Sequence, residues 1–214
     1  MQRDTVFQMS TTNIRFGVGC TSEIGMDLRD MSVKRTLLIL DPNLRSLPVA
    51  EVVVESLKSQ GIDFTIFDEV SVEPTDISFQ HAAAAATEGH FDSFVAVGGG
   101  STIDTAKAAN LYSSWPADFL RFVNAPIGDG QPVPGPIKPL IAVPTTAGTG
   151  SETTGVAVFD FVEQKAKTGI SHRYLRPTLG IIDPENTRTL PAEVAASSGL
   201  DVLSHALESF TAQP

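Results

Sequence analysis

From residue 35 onward, short apolar runs alternate with stretches of helical period. This rhythm constrains the chain more than any other feature, because it is the pattern of βαβ units that share a parallel sheet. Arg35–Leu40 reads as a buried strand. Leu47–Gln60 follows with Val49, Val52, Val53 and Leu57 on one helical stripe, and Gly61 closes it. Ile62–Phe67 is the next strand, Thr75–Asp76 the N-cap of an alanine-rich helix to Glu88, and Ser93–Val97 a strand that runs straight into three glycines. A helix from Ser101 to Tyr112 comes after them. Residues 124–139 hold five prolines and three glycines and read as a loop rather than a packed element. Leu140–Val143 resumes as a strand, 153–170 reads as a hairpin, and Leu179–Ile182 is a last short strand. After Leu190–Pro191 the pattern is helical, so the expected domains are an α/β unit over 1–188 and a helical beginning over 189–214.

Charge and composition exclude several classes of function. With 25 Asp and Glu against 15 Lys and Arg the formal charge is −10, and no basic block interleaved with aromatics offsets it, so nucleic acid and anionic lipid are excluded as partners. The longest apolar runs fall far short of the ~20 residues of a spanning helix. Met1-Gln2-Arg3-Asp4 begins with an early acid and no apolar leader, and Cys20 is the single cysteine, which together give the expectation of a cytoplasmic protein. Any metal must then sit on His, Asp or Glu.

Four groups of residues bear on chemistry. Gly98-Gly99-Gly100-Ser101, with Asp104 one turn on, lies between a strand and a helix, where backbone N–H groups and the helix dipole can hold a pyrophosphate. A tight turn alone would explain the glycines equally well. Thr145, Thr146, Thr149 and Ser151 place four hydroxyls within seven residues after another strand; they suit phosphate or ribose oxygens, or simply a polar surface loop. Asp41 follows the first strand, where a carboxylate can accept from adenosine ribose hydroxyls, or cap the turn at Pro42. Asp201 and His205 stand at i and i+4 on one helix face, the spacing of a metal-binding pair and also of an ordinary helical ion pair. His81, His90 and His172 have no ligand-like spacing and read as surface histidines.

Taken in order, Asp41, Gly98–Ser101 with Asp104–Lys107, Pro144–Glu152, Asp183–Pro184 and Gly199–Asp201 with His205–Glu208 resemble the iron-containing, group III alcohol dehydrogenases. Ser10–Gly17, Val72–Asp76 and Gly150–Val156 look most like the hydroxyacid-oxoacid transhydrogenase branch. The resemblance implies a Rossmann-like parallel sheet flanked by helices, followed by the first helix of an all-helical metal domain. It implies NAD at Asp41, Gly98, Gly99, Gly100, Ser101, Asp104, Thr145, Thr146, Thr149 and Ser151, with Lys167 reaching the cofactor, and a divalent iron or zinc ion on Asp201 and His205. The substrate would be an alcohol or hydroxyacid, and the full-length protein a homo-oligomer. The family's other two metal ligands are histidines further along, so the resemblance reads this chain as a fragment. Two expectations therefore stand side by side: a metal-dependent oxidoreductase, or a unit that binds NAD without turnover.

Overall fold

In the computed structural model, which describes residues 11–212, eight strands and five α-helices follow one another in the anticipated rhythm. The strands are β1 (Asn13–Phe16), β2 (Arg35–Leu40), β3 (Asp63–Phe67), β4 (Ser93–Gly98), β5 (Leu140–Pro144), β6 (Val156–Phe161), β7 (Ala166–Ser171) and β8 (Leu179–Ile182). The helices are α1 (Ile24–Asp30), α2 (Pro48–Ser59), α3 (Asp76–Gly89), α4 (Gly100–Ser114) and α5 (Ala192–Thr211). Six strands form one sheet in the order β1-β8-β5-β4-β2-β3, and every pairing in it is parallel. β6 and β7 form a separate antiparallel hairpin.

The two-residue period of the central strands explains why helices cover both faces. Leu38, Leu40, Val95, Val97, Ile141 and Val143 pack with Ile24 and Leu28 of α1 and Val53 and Leu57 of α2. Their alternates Leu37, Ile39, Phe94, Ala96, Leu140 and Ala142 pack on Ala82 and Ala86 of α3 and Ile103, Ala106 and Ala109 of α4. The small side chains of α3 and α4 let the two helices lie close to the sheet. Helix ends follow their local chemistry. Thr75 and Ser78 close a reciprocal capping box at α3, and Gly61, at φ +68°, ends α2 in a conformation a side chain would resist.

Two segments differ from the sequence reading. β1 and α1 precede the first anticipated strand; β1 is a four-residue edge strand whose side chains are mostly exposed, so it lacks the apolar run that marks the others. Ser10 and the Met1–Asp4 start lie outside the described residues. The proline-rich 124–139 segment is a loop, but a packed one. Val133 is buried with Phe122, Phe159 and Leu111; the Trp115 indole donates to Gly135 O, and Asn110 exchanges hydrogen bonds with the Lys138 backbone. Proline removes donors, so such a loop can pack against side chains without leaving N–H groups unpaired.

Candidate cofactor cleft

β2 leads through α2 to β3 on one side, and the chain then returns through α3 to β4 on the other side of β2. α2 lies on one face of the sheet and α3 on the opposite face, so the strand order reverses between β2 and β4. Open α/β sheets hold ligands at this point, outside the carboxyl ends of the strands. Three of the sequence's candidate loops start there: Asp41 after β2, Gly98–Ser101 after β4 and Thr145–Ser151 after β5. Backbone bonds stitch them together, from Asp41 N to Val97 O (3.0 Å) and from Thr145 N to Gly98 O (3.1 Å).

The cleft has two chambers. One, of about 610 Å³, is lined by Asp41, Gly99, Gly100, Ser101, Thr145, Thr146 and Thr149 with the start of α5. The other, of about 580 Å³, takes in Ser101, Asp104, Ser151, Lys167, Asp201 and His205. Gly100, Ser101, Thr149, Glu73 and Asp201 border both, so α4 begins at the junction. No side chain caps α4 and no acid sits in its first turn, so the helix's own residues leave the positive end of its dipole open toward the junction. The glycines are steric necessities: a Cβ on Gly98 would come within 2.3 Å of Thr102 Oγ1, and one on Gly100 within 2.8 Å of Thr149 Cγ2.

Asp41 does cap the turn at Pro42, accepting from Asn43 N (2.9 Å) and Asn43 Nδ2 (3.0 Å), and both bonds fall on Oδ1. It lines the first chamber as well, so the two roles weighed from sequence are compatible. Asp104 is buried at the second chamber. Its oxygens accept from Lys107 Nζ (3.3 Å) and Val158 N (3.0 Å), and Ser151 hydrogen-bonds to it. Lys107 is fully buried and also donates to Val156 O (2.6 Å) and Thr154 Oγ1 (3.3 Å). Burial pushes the Asp104 carboxyl up and the Lys107 ammonium down, each opposed by the other's charge. This pair fastens the β6–β7 hairpin to α4. The sequence reading missed Lys107 as a clamp; a Lys at i+3 from an Asp, the only two charged residues of the helix, was the available signal.

Lys167, on β7, reaches into the second chamber and is tied to Glu73, with Asp160 Oδ1 at 3.8 Å. Its ammonium is held above the usual lysine range, chiefly by the hydrogen bond to Glu73. α5 sits over the Thr-rich loop, where Gly148 leaves room for it: a Cβ there would meet Ser198 O at 2.8 Å. That contact brings Asp201 and His205 to the chamber, with His205 Nε2 3.7 Å from Asp201 Oδ1. Among the described residues no group of three His, Cys, Asp or Glu is placed to hold a metal ion. The pair therefore offers two donors of suitable type, short of the three or four protein ligands of a catalytic site. A separate cavity of about 720 Å³ lies between the start of α2 and residues 183–189, where Thr21, Asp183 and Asn186 bond to one another.

Comparison with known proteins places the chain among its relatives. A family model described as iron-containing alcohol dehydrogenase matches residues 11–184. The chain is 58% identical over 212 residues to the mitochondrial hydroxyacid-oxoacid transhydrogenase of Mus musculus and 59% identical to that of Bos taurus, covering 99% of this chain and 46% of each relative. Among solved structures, sulfoacetaldehyde reductase from Bifidobacterium kashiwanohense in complex with NAD+ superposes with a TM-score of 0.89 at 30% identity, covering 99% of this chain and 56% of that one. NADH-dependent butanol dehydrogenase A from Thermotoga maritima gives 0.87 at 29%, covering 95% and 50%. The chain thus spans about half the length of the relatives it matches. The cytoplasmic location expected from sequence is corrected by these relatives, which are mitochondrial by name. A lone cysteine speaks only for a reducing environment, and it does not separate one such compartment from another.

Proposed function

The chain belongs to the iron-containing alcohol dehydrogenase family, a family of oxidoreductases, and on that premise we propose that its cleft binds NAD across the two chambers. The convergence of three loops at the β2/β4 reversal is the observation that supports this reading. Asp41 would accept from the adenosine ribose and repel a 2′-phosphate, favouring NAD over NADP. The first turn of α4, with Gly98–Ser101, would hold the diphosphate, and Thr145, Thr146, Thr149 and Ser151 would supply hydroxyls to the ribose and phosphate oxygens. Asp104 would border the nicotinamide side while fixing the hairpin, and Lys167 would reach the cofactor from that hairpin.

Asp201 and His205 would contribute the first two donors of a divalent iron or zinc centre. A complete centre would supply Lewis-acid stabilisation of negative charge on an alcohol oxygen. Among the described residues the donors do not complete that set. The reading favoured for the 214-residue polypeptide is an NAD-binding unit that does not turn over substrate alone. Likeness to the transhydrogenases favours a hydroxyacid as substrate of the whole protein, for which a homo-oligomer is the assembly proposed.

Calorimetric titration with NAD+ and NADP+, metal analysis after dialysis against Fe²⁺ or Zn²⁺, and an absorbance assay for NADH with a panel of hydroxyacids test this together. The expected result is micromolar NAD+ binding, weaker NADP+ binding, no stoichiometric metal and no NADH. Stoichiometric tight metal with hydride transfer would overturn the non-catalytic reading; absence of NAD+ binding at millimolar concentration would overturn the cofactor site.

A further inference from the structure

Glu73 lines both chambers of the cleft, yet the cofactor reading gives it no task. It occupies a left-handed backbone conformation, φ +55°, which resists side chains other than Asn or Gly, so the local fold presents a carboxylate where a cheaper residue would do. Its position relative to the hairpin is fixed. Pro74 O accepts from Asp160 N (2.8 Å), and Asp76 Oδ1 accepts from Val162 N (3.1 Å), which ties the segment after Glu73 along β6. Across the hairpin, Asp160 pairs in register with Lys167. Glu73 and Lys167 therefore ride on one stitched unit, and their ion pair stands beside the junction where α4 begins.

Among the described residues that line the two chambers, Lys167 is the one Lys or Arg, against Asp41, Glu73, Asp104 and Asp201. From this arrangement, and resting on the reading that the cleft holds NAD, we infer that Glu73 tunes the affinity of the cleft by competing with the cofactor's diphosphate for Lys167. Without ligand, the carboxylate holds the ammonium. When a diphosphate enters at Gly100 and Ser101, Lys167 exchanges one anionic partner for another, and Glu73 is left facing the bound phosphates. The pair thereby lowers affinity for anionic ligands in general and shortens the residence of the cofactor. Because both side chains are more than half exposed, the pair adds little to stability, and its removal leaves the fold intact.

Titration of the full chain with NAD+, ADP-ribose and adenosine tests the competition. Glu73→Gln should tighten NAD+ and ADP-ribose roughly 1.4-fold to fivefold, the range an exposed ion pair spans, and leave adenosine unchanged. Lys167→Met should weaken ADP-ribose more in the Glu73→Gln background than in the unaltered chain, and the Glu73→Gln gain should shrink at high salt. Equal or weaker ADP-ribose binding by Glu73→Gln, or an equal gain for adenosine, overturns the inference while the cofactor site stands. If the unaltered chain binds no NAD+, both the cofactor reading and this inference are overturned.

Discussion

Replacing Lys107 by Met probes the clamp between α4 and the hairpin at nearly constant side-chain volume. The substitution removes a donor to three acceptors, Asp104 Oδ1, Thr154 Oγ1 and Val156 O, in a site with no solvent exposure at the ammonium. An orphaned buried carbonyl costs about 1–3 kcal/mol, and a lost bond to a charged group about 1.5–3 kcal/mol. Together they agree with the ~3–5 kcal/mol typical of breaking a buried ion pair by removing one partner. For a chain of this size that corresponds to a melting temperature lower by roughly 6–20 °C. The Asp104→Asn, Lys107→Met double variant removes both charges and keeps an acceptor for Val158 N, so its loss should fall well below the sum of the two singles. Thermal and urea unfolding of the four proteins measure the cycle. A Lys107→Met loss under ~1 kcal/mol, or strict additivity, would show that the buried charges do not act as a coupled clamp.

Gly100→Ala should weaken NAD+ about tenfold or more with unchanged circular dichroism, because its Cβ would displace Thr149 at the chamber junction; calorimetry decides it. Asp41→Asn keeps an acceptor for the Asn43 turn and removes the charge, so the ratio of NADP+ to NAD+ affinity should rise, as read from paired titrations. Burial pushes the Asp183 carboxyl up, but hydrogen bonds from the Thr21 backbone and hydroxyl, Gly19 N and Glu185 N outweigh it and hold it below the usual carboxylate range. A depressed folded pKa stabilises the fold above the ordinary carboxylate value and ceases to do so as pH falls through the depressed one. Asp183→Asn should therefore lower the melting temperature at neutral pH and flatten its fall below about pH 4; an unchanged acid limb would count against those bonds.

How much of this was legible in the sequence depended on how locally each feature is encoded. Leu37–Leu40 and Phe94–Val97 announce themselves because both faces of a central parallel strand are buried, so the run is apolar without interruption. β1 stayed silent since its neighbour β8 covers only one edge and Ile14 and Phe16 remain exposed. Asp41, the glycines and the Thr-rich loop could be named from their places after strands, but their convergence depends on the order β3-β2-β4-β5, which no single strand records. The reach of Lys107 beyond Asp104, and the partner of Glu73, were hidden for a different reason. The partners lie 49 and 94 positions away at Val156 and Lys167, across a hairpin that folds back over α4.

The charge of the chain takes on a specific meaning at this cleft. A protein of net charge −10 that receives an anionic cofactor must do so against its own field, and here the acids come close to the site as Asp41, Glu73, Asp104 and Asp201. Asp104 is answered inside the fold by Lys107, and Glu73 at the surface by Lys167. Beside Lys167, whose charge Glu73 contests, and the Thr-rich loop's hydroxyls, what would attract phosphate is oriented backbone: an α4 terminus with no capping side chain and no first-turn acid, beside glycines that admit close approach. Fixed dipoles of this kind act at short range and are weakly screened when the ligand is seated, whereas the repulsive field of exposed acids is long-ranged and falls with salt. Moderate salt should therefore screen repulsion more than attraction and help the cofactor arrive, the opposite of the salt response of a site built from exposed lysines.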